Sequence, residues 1–399
     1  MPLRTRGQPY AAAAVRGIVA TGLHAVLLVG PPSVGKTTLA LDLAATLLCI
    51  AADPVDRPCG ACRGCRLVAS GNHPDLHRLR PEGPGGQVRI EQVRGLASEL
   101  ALLSVEGGAR IAVVEEAHRL NEDAQNALLK TLEEPPGGVT IVLCADDEDA
   151  LLPTVRSRCA RVRLGPVGAR EVEALLGELG LADAPRAARL ARLSSGRPGL
   201  AIAYATADDA ALARTEVART LLDLASAGPT RRLVAIRELQ LRSMMAASAL
   251  APLEAGDAAT GGRPARGAKG RRGSTPSGDA SAAVREERPS TEDRSGPAED
   301  GDVAASKRAS AAERRRAASW LIDAWRDVAR DLAVLDAGQP RAVRDIDSLD
   351  ELQALAARLP PGAAASFLRR LERAGERLAS NASPELLIDA LVLAWPHAA

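Results

Sequence analysis

At 399 residues, with 46% hydrophobic and 25% charged side chains, the chain is long enough for two or three domains and has ordinary globular composition. Its 51 basic and 50 acidic residues leave a net charge of +1, which excludes a global field holding the chain on nucleic acid or an anionic membrane. No uninterrupted apolar run approaches a bilayer span, and the segment from Met1 to Arg6 lacks an apolar signal core, so the expectation is a cytoplasmic protein with no membrane partner.

The first predicted element is the apolar strand Val26–Val29, which runs straight into Gly30-Pro31-Pro32-Ser33-Val34-Gly35-Lys36-Thr37. The spacing G-x-x-x-x-G-K-[ST] is that of a phosphate-binding loop. Its glycines permit a tight turn and close backbone approach, so that successive N–H groups and a helix start surround phosphate oxygens. Gly30, Pro31, Ser33, Val34 and Gly35 then make the cradle, Lys36 reaches the outer phosphates of ATP, and Thr37, with Thr38 beside it, serves the Mg²⁺. Only four of the 51 basic residues are lysines, so composition alone does not account for the motif. The competing reading is an ordinary corner between a strand and the helix containing Leu39–Ala44.

Cys49, Cys59, Cys62 and Cys65 come next, spaced C-x9-C-x2-C-x2-C. Two consecutive C-x-x-C steps set thiolates around one centre, and a fourth from the end of the preceding helix completes tetrahedral Zn²⁺ ligation. Four protein ligands leave no open coordination position, which makes the zinc structural. Substitution of His73 or His77 for Cys49, an iron–sulfur cluster, and isolated thiols are the alternatives. Cys144 is expected in the core.

Ile111–Val114 and Val139–Leu143 are predicted strands and Ala160–Leu164 a short one. Strands and helices thus alternate as in a mostly parallel sheet covered on both faces. Glu115-Glu116 follow the first of these, where a nucleotide hydrolase needs acids. Glu115 faces Mg²⁺ with one methylene more than the usual Asp, a poorer octahedral fit, while Glu116 polarises water. Alternatively both carboxylates cap a strand at the surface. In Ser157-Arg158-Cys159, an arginine on such a loop can enter a neighbouring subunit's nucleotide site and neutralise charge on the γ-phosphate; otherwise it is a solvated surface residue.

After Gly165-Pro166 the pattern turns helical, with short amphipathic helices over Arg170–Leu179 and Ala187–Leu193 before Ser194-Ser195-Gly196-Arg197-Pro198-Gly199. Helical patterning continues over 202–253. Between Ala255 and Ser310 there is no aromatic residue, and Val284 and Val303 are the only branched aliphatics. Such text cannot offset its ordering entropy, so 254–316 is expected to be a disordered insertion. Leu321, Trp325, Val328, Leu332 and Leu335 then share one helix face as a core stripe, and helices continue through Leu368–Leu371 and Leu386–Leu391.

Taken in order, these elements resemble the AAA+ subunits of the bacterial DNA polymerase III clamp loader. The most specific match is Asn126-Ala127-Leu128-Leu129-Lys130-Thr131-Leu132-Glu133-Glu134-Pro135-Pro136, flanked by the phosphate loop, the four-cysteine module and Ser157-Arg158-Cys159. The resemblance covers nearly the whole chain except the insertion. Gly71-Asn72-His73-Pro74-Asp75, Leu151–Arg156 and Gly196–Ala201 are similar to the delta-prime type of subunit. In the gamma/tau motor type, the last of these loops carries a second-sensor arginine that touches nucleotide. That register holds Gly199 here, with Arg197 two residues away as the other candidate. The first-sensor position falls near Ala145-Asp146, where an aspartate repels a γ-phosphate.

The resemblance implies an α/β AAA+ P-loop domain over 1–165 with an inserted zinc module at about 49–65, a small helical lid over 166–201, and a C-terminal all-α collar over 202–253 and 317–399. It implies a subunit that helps load the sliding clamp during replication. The implied partners are gamma/tau and delta subunits, the clamp and, through the complex, primer-template DNA, with Arg158 acting in trans. The chain's own ATPase activity is expected to be weak or absent. A gamma/tau-type motor and a non-catalytic scaffold are the alternatives.

Overall fold

A computed structural model describes residues 3–81, 86–106, 108–254, 310–379 and 382–398, which belong to one compact unit. The expected disorder over 255–309 lies outside the described residues. The first part contains α1 (Pro9–Thr21), β1 (Ala25–Val29), α2 (Lys36–Leu47), α3 (Arg63–Ala69), β2 (Leu76–Leu79), α4 (Ile90–Ala101), β3 (Arg110–Val114), α5 (Glu122–Glu133), β4 (Val139–Ala145), α6 (Pro153–Arg156) and β5 (Ala160–Arg163).

The five strands form one sheet in the order β2-β3-β4-β1-β5, every pair parallel. Strands covered on both faces read as continuous apolar runs, and β3 and β4 are buried at every position. The edge strand β5 instead alternates, with Arg161 and Arg163 exposed around buried Val162. On one face, Val26, Leu28, Ile111, Val113 and Val142 pack with Ile18 of α1 and Leu39 and Leu43 of α2. On the other, Leu27, Ala112, Val114, Ile141 and Leu143 pack with Leu96 of α4 and Leu128 of α5. β2 was not among the expected strands: His77 and Arg78 separate its two leucines, and it pairs only with β3.

The remainder is helical: α7 (Ala169–Glu178), α8 (Ala184–Leu193), α9 (Pro198–Thr206), α10 (Asp208–Leu224), α11 (Pro229–Glu254), α12 (Ala311–Asp336), α13 (Leu349–Ala356), α14 (Ala363–Ala379) and α15 (Pro384–Leu393). A single apolar core runs through these helices from Val167 to Ala398. Trp325, Phe367 and Trp395 lie at its centre, the Phe367 and Trp395 rings meeting edge to face at 4.9 Å. Helix α12 starts before the expected boundary at 317 because Ser310 caps it: the Glu313 N–H donates to the Ser310 hydroxyl, and the Ser310 N–H donates to the Glu313 carboxylate at 2.7 Å. Among the described residues, no helix is long and apolar enough to cross a membrane.

Candidate functional site

β1 delivers the chain from the buried sheet to the loop at its carboxyl end, and α2 starts at Lys36 with the left-handed Gly35 (φ 107°) as its N-cap. That conformation favours a residue without Cβ and aims the first N–H groups of α2 into the loop. Gly30 is needed for a different reason: a Cβ there would lie 2.4 Å from the Leu164 carbonyl oxygen just beyond β5. Ser33 also has a left-handed backbone (φ 61°), and its carbonyl accepts the Gly199 N–H at 2.9 Å. The start of α9 therefore rests directly on the loop. Its close approach depends on glycine, since a Cβ on Gly199 would come within 3.1 Å of the Ser33 carbonyl oxygen.

Lys36 is buried, and its ammonium is used within the chain. It donates to the carbonyls of Gly30 and Pro31, each at 2.7 Å, and forms an ion pair with Asp146 Oδ1 at 2.6 Å. The Asp146 N–H donates to His118 Nδ1 at 3.1 Å, which leaves His118 Nε2 facing Asp146 Oδ2 at 3.7 Å. Burial lowers the His118 pKa below the ordinary value and favours the neutral ring. The backbone cradle and the start of α2 thus fit a phosphate, whereas the lysine has its acceptors already. Sequence reading anticipated an aspartate here but not its pairing with Lys36, nor the part played by His118.

The acids after β3 are also engaged. Glu115 Oε1 accepts from Arg78 and Arg80 at 2.8 and 2.9 Å, and Glu116 pairs with Arg119 three residues on. Arg197 donates to Asp323 of α12 at 3.1 Å and to the Ser194 carbonyl, also at 3.1 Å. Arg158 follows α6 at the surface, donating to the Thr154 carbonyl at 2.8 Å and pairing with Glu133 at the end of α5.

The Sγ atoms of Cys49, Cys59, Cys62 and Cys65 lie within 4.8 Å of one another. Cys49 and Cys62 are 3.9 Å apart, close to the roughly 3.8 Å that two Zn–S bonds of ~2.3 Å subtend at the tetrahedral angle. Successive backbone N–H groups of Cys59, Cys62 and Cys65 point at the preceding sulfurs of Cys49, Cys59 and Cys62 at 3.3 to 3.4 Å. The Cys62 and Ala61 N–H groups help bring the Cys59 thiol down to about 6, while burial pushes Cys65 up to about 12. The cluster can therefore hold a thiophilic ion. Neither alternative histidine belongs to this cluster: His73 Nδ1 accepts the Asp75 N–H at 3.1 Å, and His77 meets Glu99 at 2.8 Å.

Residues 18–168 match the family model described as DNA polymerase III, delta subunit. DNA polymerase III subunit delta' of Pseudomonas aeruginosa is 39% identical over 44% of this chain and 53% of its own length; that of Escherichia coli is 37% identical over 47% and 56%. The chain thus spans little more than half the length of these relatives. Escherichia coli subunit tau is 34% identical over 43% of this chain and 27% of its own length. Among solved structures, a DNA polymerase III gamma subunit-related protein of Thermotoga maritima is aligned over 92% of this chain and 99% of its own, at 16% identity and a TM-score of 0.36. Residues 18–168 are thus similar to the DNA polymerase III delta-subunit family, and subunits named delta' are among the similar proteins.

Proposed function

We propose that the chain is a delta'-type AAA+ subunit of a bacterial DNA polymerase III clamp loader. It acts in the cytoplasm with gamma/tau and delta subunits to load the sliding clamp onto primer-template DNA, and it offers Arg158 to a neighbouring gamma/tau ATP site. The observation that carries this reading is the contrast between two cations. Lys36, which a motor needs for its own phosphates, is buried on internal acceptors, while Arg158 is at the surface with a single exposed carboxylate partner, Glu133. A surface ion pair of this kind is weak enough to exchange for a phosphate.

Assembling the loader with Arg158→Ala tests the reading: DNA-stimulated hydrolysis by the motor subunits should fall by a factor of ten or more, in line with arginine-finger losses of roughly 10³–10⁵. Undiminished turnover and clamp loading would remove the role. The identity to tau supports a second reading, a divergent motor in which Lys36, Thr37 and Glu116 hydrolyse ATP. Strong DNA-stimulated turnover by the chain, abolished by Lys36→Ala, selects that alternative. For the cysteine module we propose one structural Zn²⁺ on Cys49, Cys59, Cys62 and Cys65, supplying cross-linking rather than chemistry.

A further inference from the structure

Parallel pairing of β1 with β4 sets Val29 opposite Ala145, so the two chains leave the sheet side by side as Gly30 and Asp146. The Gly30 N–H donates to the Ala145 carbonyl at 3.2 Å and holds them together at this point. Strand register thus delivers an aspartate to the mouth of the phosphate loop, 110 positions after Lys36 in sequence.

An ammonium has three N–H donors. Those of Lys36 are matched by three acceptors, the Gly30 carbonyl, the Pro31 carbonyl and Asp146 Oδ1, at 2.6 to 2.7 Å. The ammonium is therefore satisfied in both hydrogen bonding and charge, which a buried cation requires. Asp146 is steered from behind by His118, which receives its N–H and faces its second carboxylate oxygen. A cavity of about 290 Å³ beside the loop is lined by Asp146, Asp147, Glu148 and Asp149, with Arg163 opposing them. Glu148 and Asp149 are paired with Arg163 and Arg156, so an incoming phosphate would meet chiefly the Asp146 carboxylate and no free ammonium proton.

We propose that Asp146 is the residue that decides what this loop holds: its carboxylate is a built-in anion for Lys36, and nucleotide phosphates must displace it to bind. The loop in this chain is consequently self-occupied, and the Gly199 N–H on the Ser33 carbonyl seats the helical region on it in that state. The proposal rests on reading this subunit as one that does not drive hydrolysis itself. Asp146→Asn removes the charge while retaining an acceptor for Lys36, so it converts the pocket without emptying it.

Titration of the full chain with ATP and Mg²⁺ by calorimetry tests this. Asp146→Asn should bind at least tenfold more tightly than the wild type. The gain should disappear in Asp146→Asn combined with Lys36→Ala. Asp146→Ser provides the same readout if the asparagine variant folds poorly. Equal or weaker binding by the folded Asp146 variants, or a gain that survives loss of Lys36, would overturn the proposal. This measurement uses the isolated chain, whereas the Arg158 experiment uses the assembled loader, so failure of one leaves the other readable.

Discussion

Arg232 and Trp395, 163 positions apart, are joined by a 2.6 Å hydrogen bond from the Arg232 Nη1 to the Trp395 carbonyl. The same guanidinium donates to the carbonyls of Leu224 and Ala227 at 3.0 Å and of Pro396 at 3.2 Å. In return, the Trp395 indole donates to the Leu221 carbonyl at 2.8 Å. Leu224 is the last residue of α10, and the last carbonyls of a helix have no partner within it. One buried cation therefore fastens the end of α10 to the segment that follows α15. Arg232→Ala should destabilise the chain by at least about 2 kcal/mol, since each buried acceptor left unpaired costs roughly 1–3 kcal/mol. Urea unfolding measures this, and an unchanged midpoint would show that the fastening contributes nothing.

Gly30→Ala should lower stability whether or not nucleotide is present. The added Cβ at 2.4 Å from the Leu164 carbonyl oxygen must push β5 away from β1. Overpacking of this sort costs about 1–3 kcal/mol, and thermal unfolding without nucleotide should reveal it. Wild-type stability in this variant would mean that the sheet absorbs the methyl group.

The Arg158–Glu133 pair separates folding from assembly. Both side chains are substantially exposed, so Arg158→Ala or Glu133→Ala should change stability by no more than ~1 kcal/mol. Arg158→Ala should nevertheless depress hydrolysis in the assembled loader, and Glu133→Ala should leave it active. Parallel melting curves and turnover measurements decide whether any loss is one of function or of fold.

Metal retention should depend on pH in a definite direction. Binding requires thiolates, so protons compete with the ion. Cys65, pushed up to about 12, must release its proton on binding at neutral pH, and Cys59, at about 6, takes up a competing proton as the solution becomes acidic. Zinc should be retained through dialysis at neutral pH and lost increasingly below about pH 6. Elemental analysis across that range checks this, and retention that ignores pH, or no zinc in protein prepared without chelator, contradicts it.

The central strands were legible because burial on both faces demands uninterrupted apolar text, as in Val139–Leu143. β2 was not, because an edge strand can carry His77 and Arg78 at half-buried positions. The four cysteines declared themselves by spacing, and their sulfurs do converge. By contrast, the partners of Lys36 and Arg158 are set by tertiary register. Asp146 arrives through the β1–β4 pairing, and Glu133 comes from the end of a helix packed beside α6. Local sequence spacing contains neither relationship. It also concealed the core shared by Val167–Ala398, whose central contacts join Trp325, Phe367 and Trp395 across long stretches of chain.

Helix α2 is 12 residues long, about 18 Å at 1.5 Å per residue. Lys36 opens it, and Cys49 lies just past its end. Midway, Asp42 accepts the Thr5 N–H and hydroxyl at 2.8 and 2.7 Å. The helix is thus tied at its head by Lys36 and at its waist by Asp42, and the proposed zinc module would hold its foot. A metal ion held by Cys49 and its three partners would therefore be linked to the lysine at the head through the backbone of a single helix.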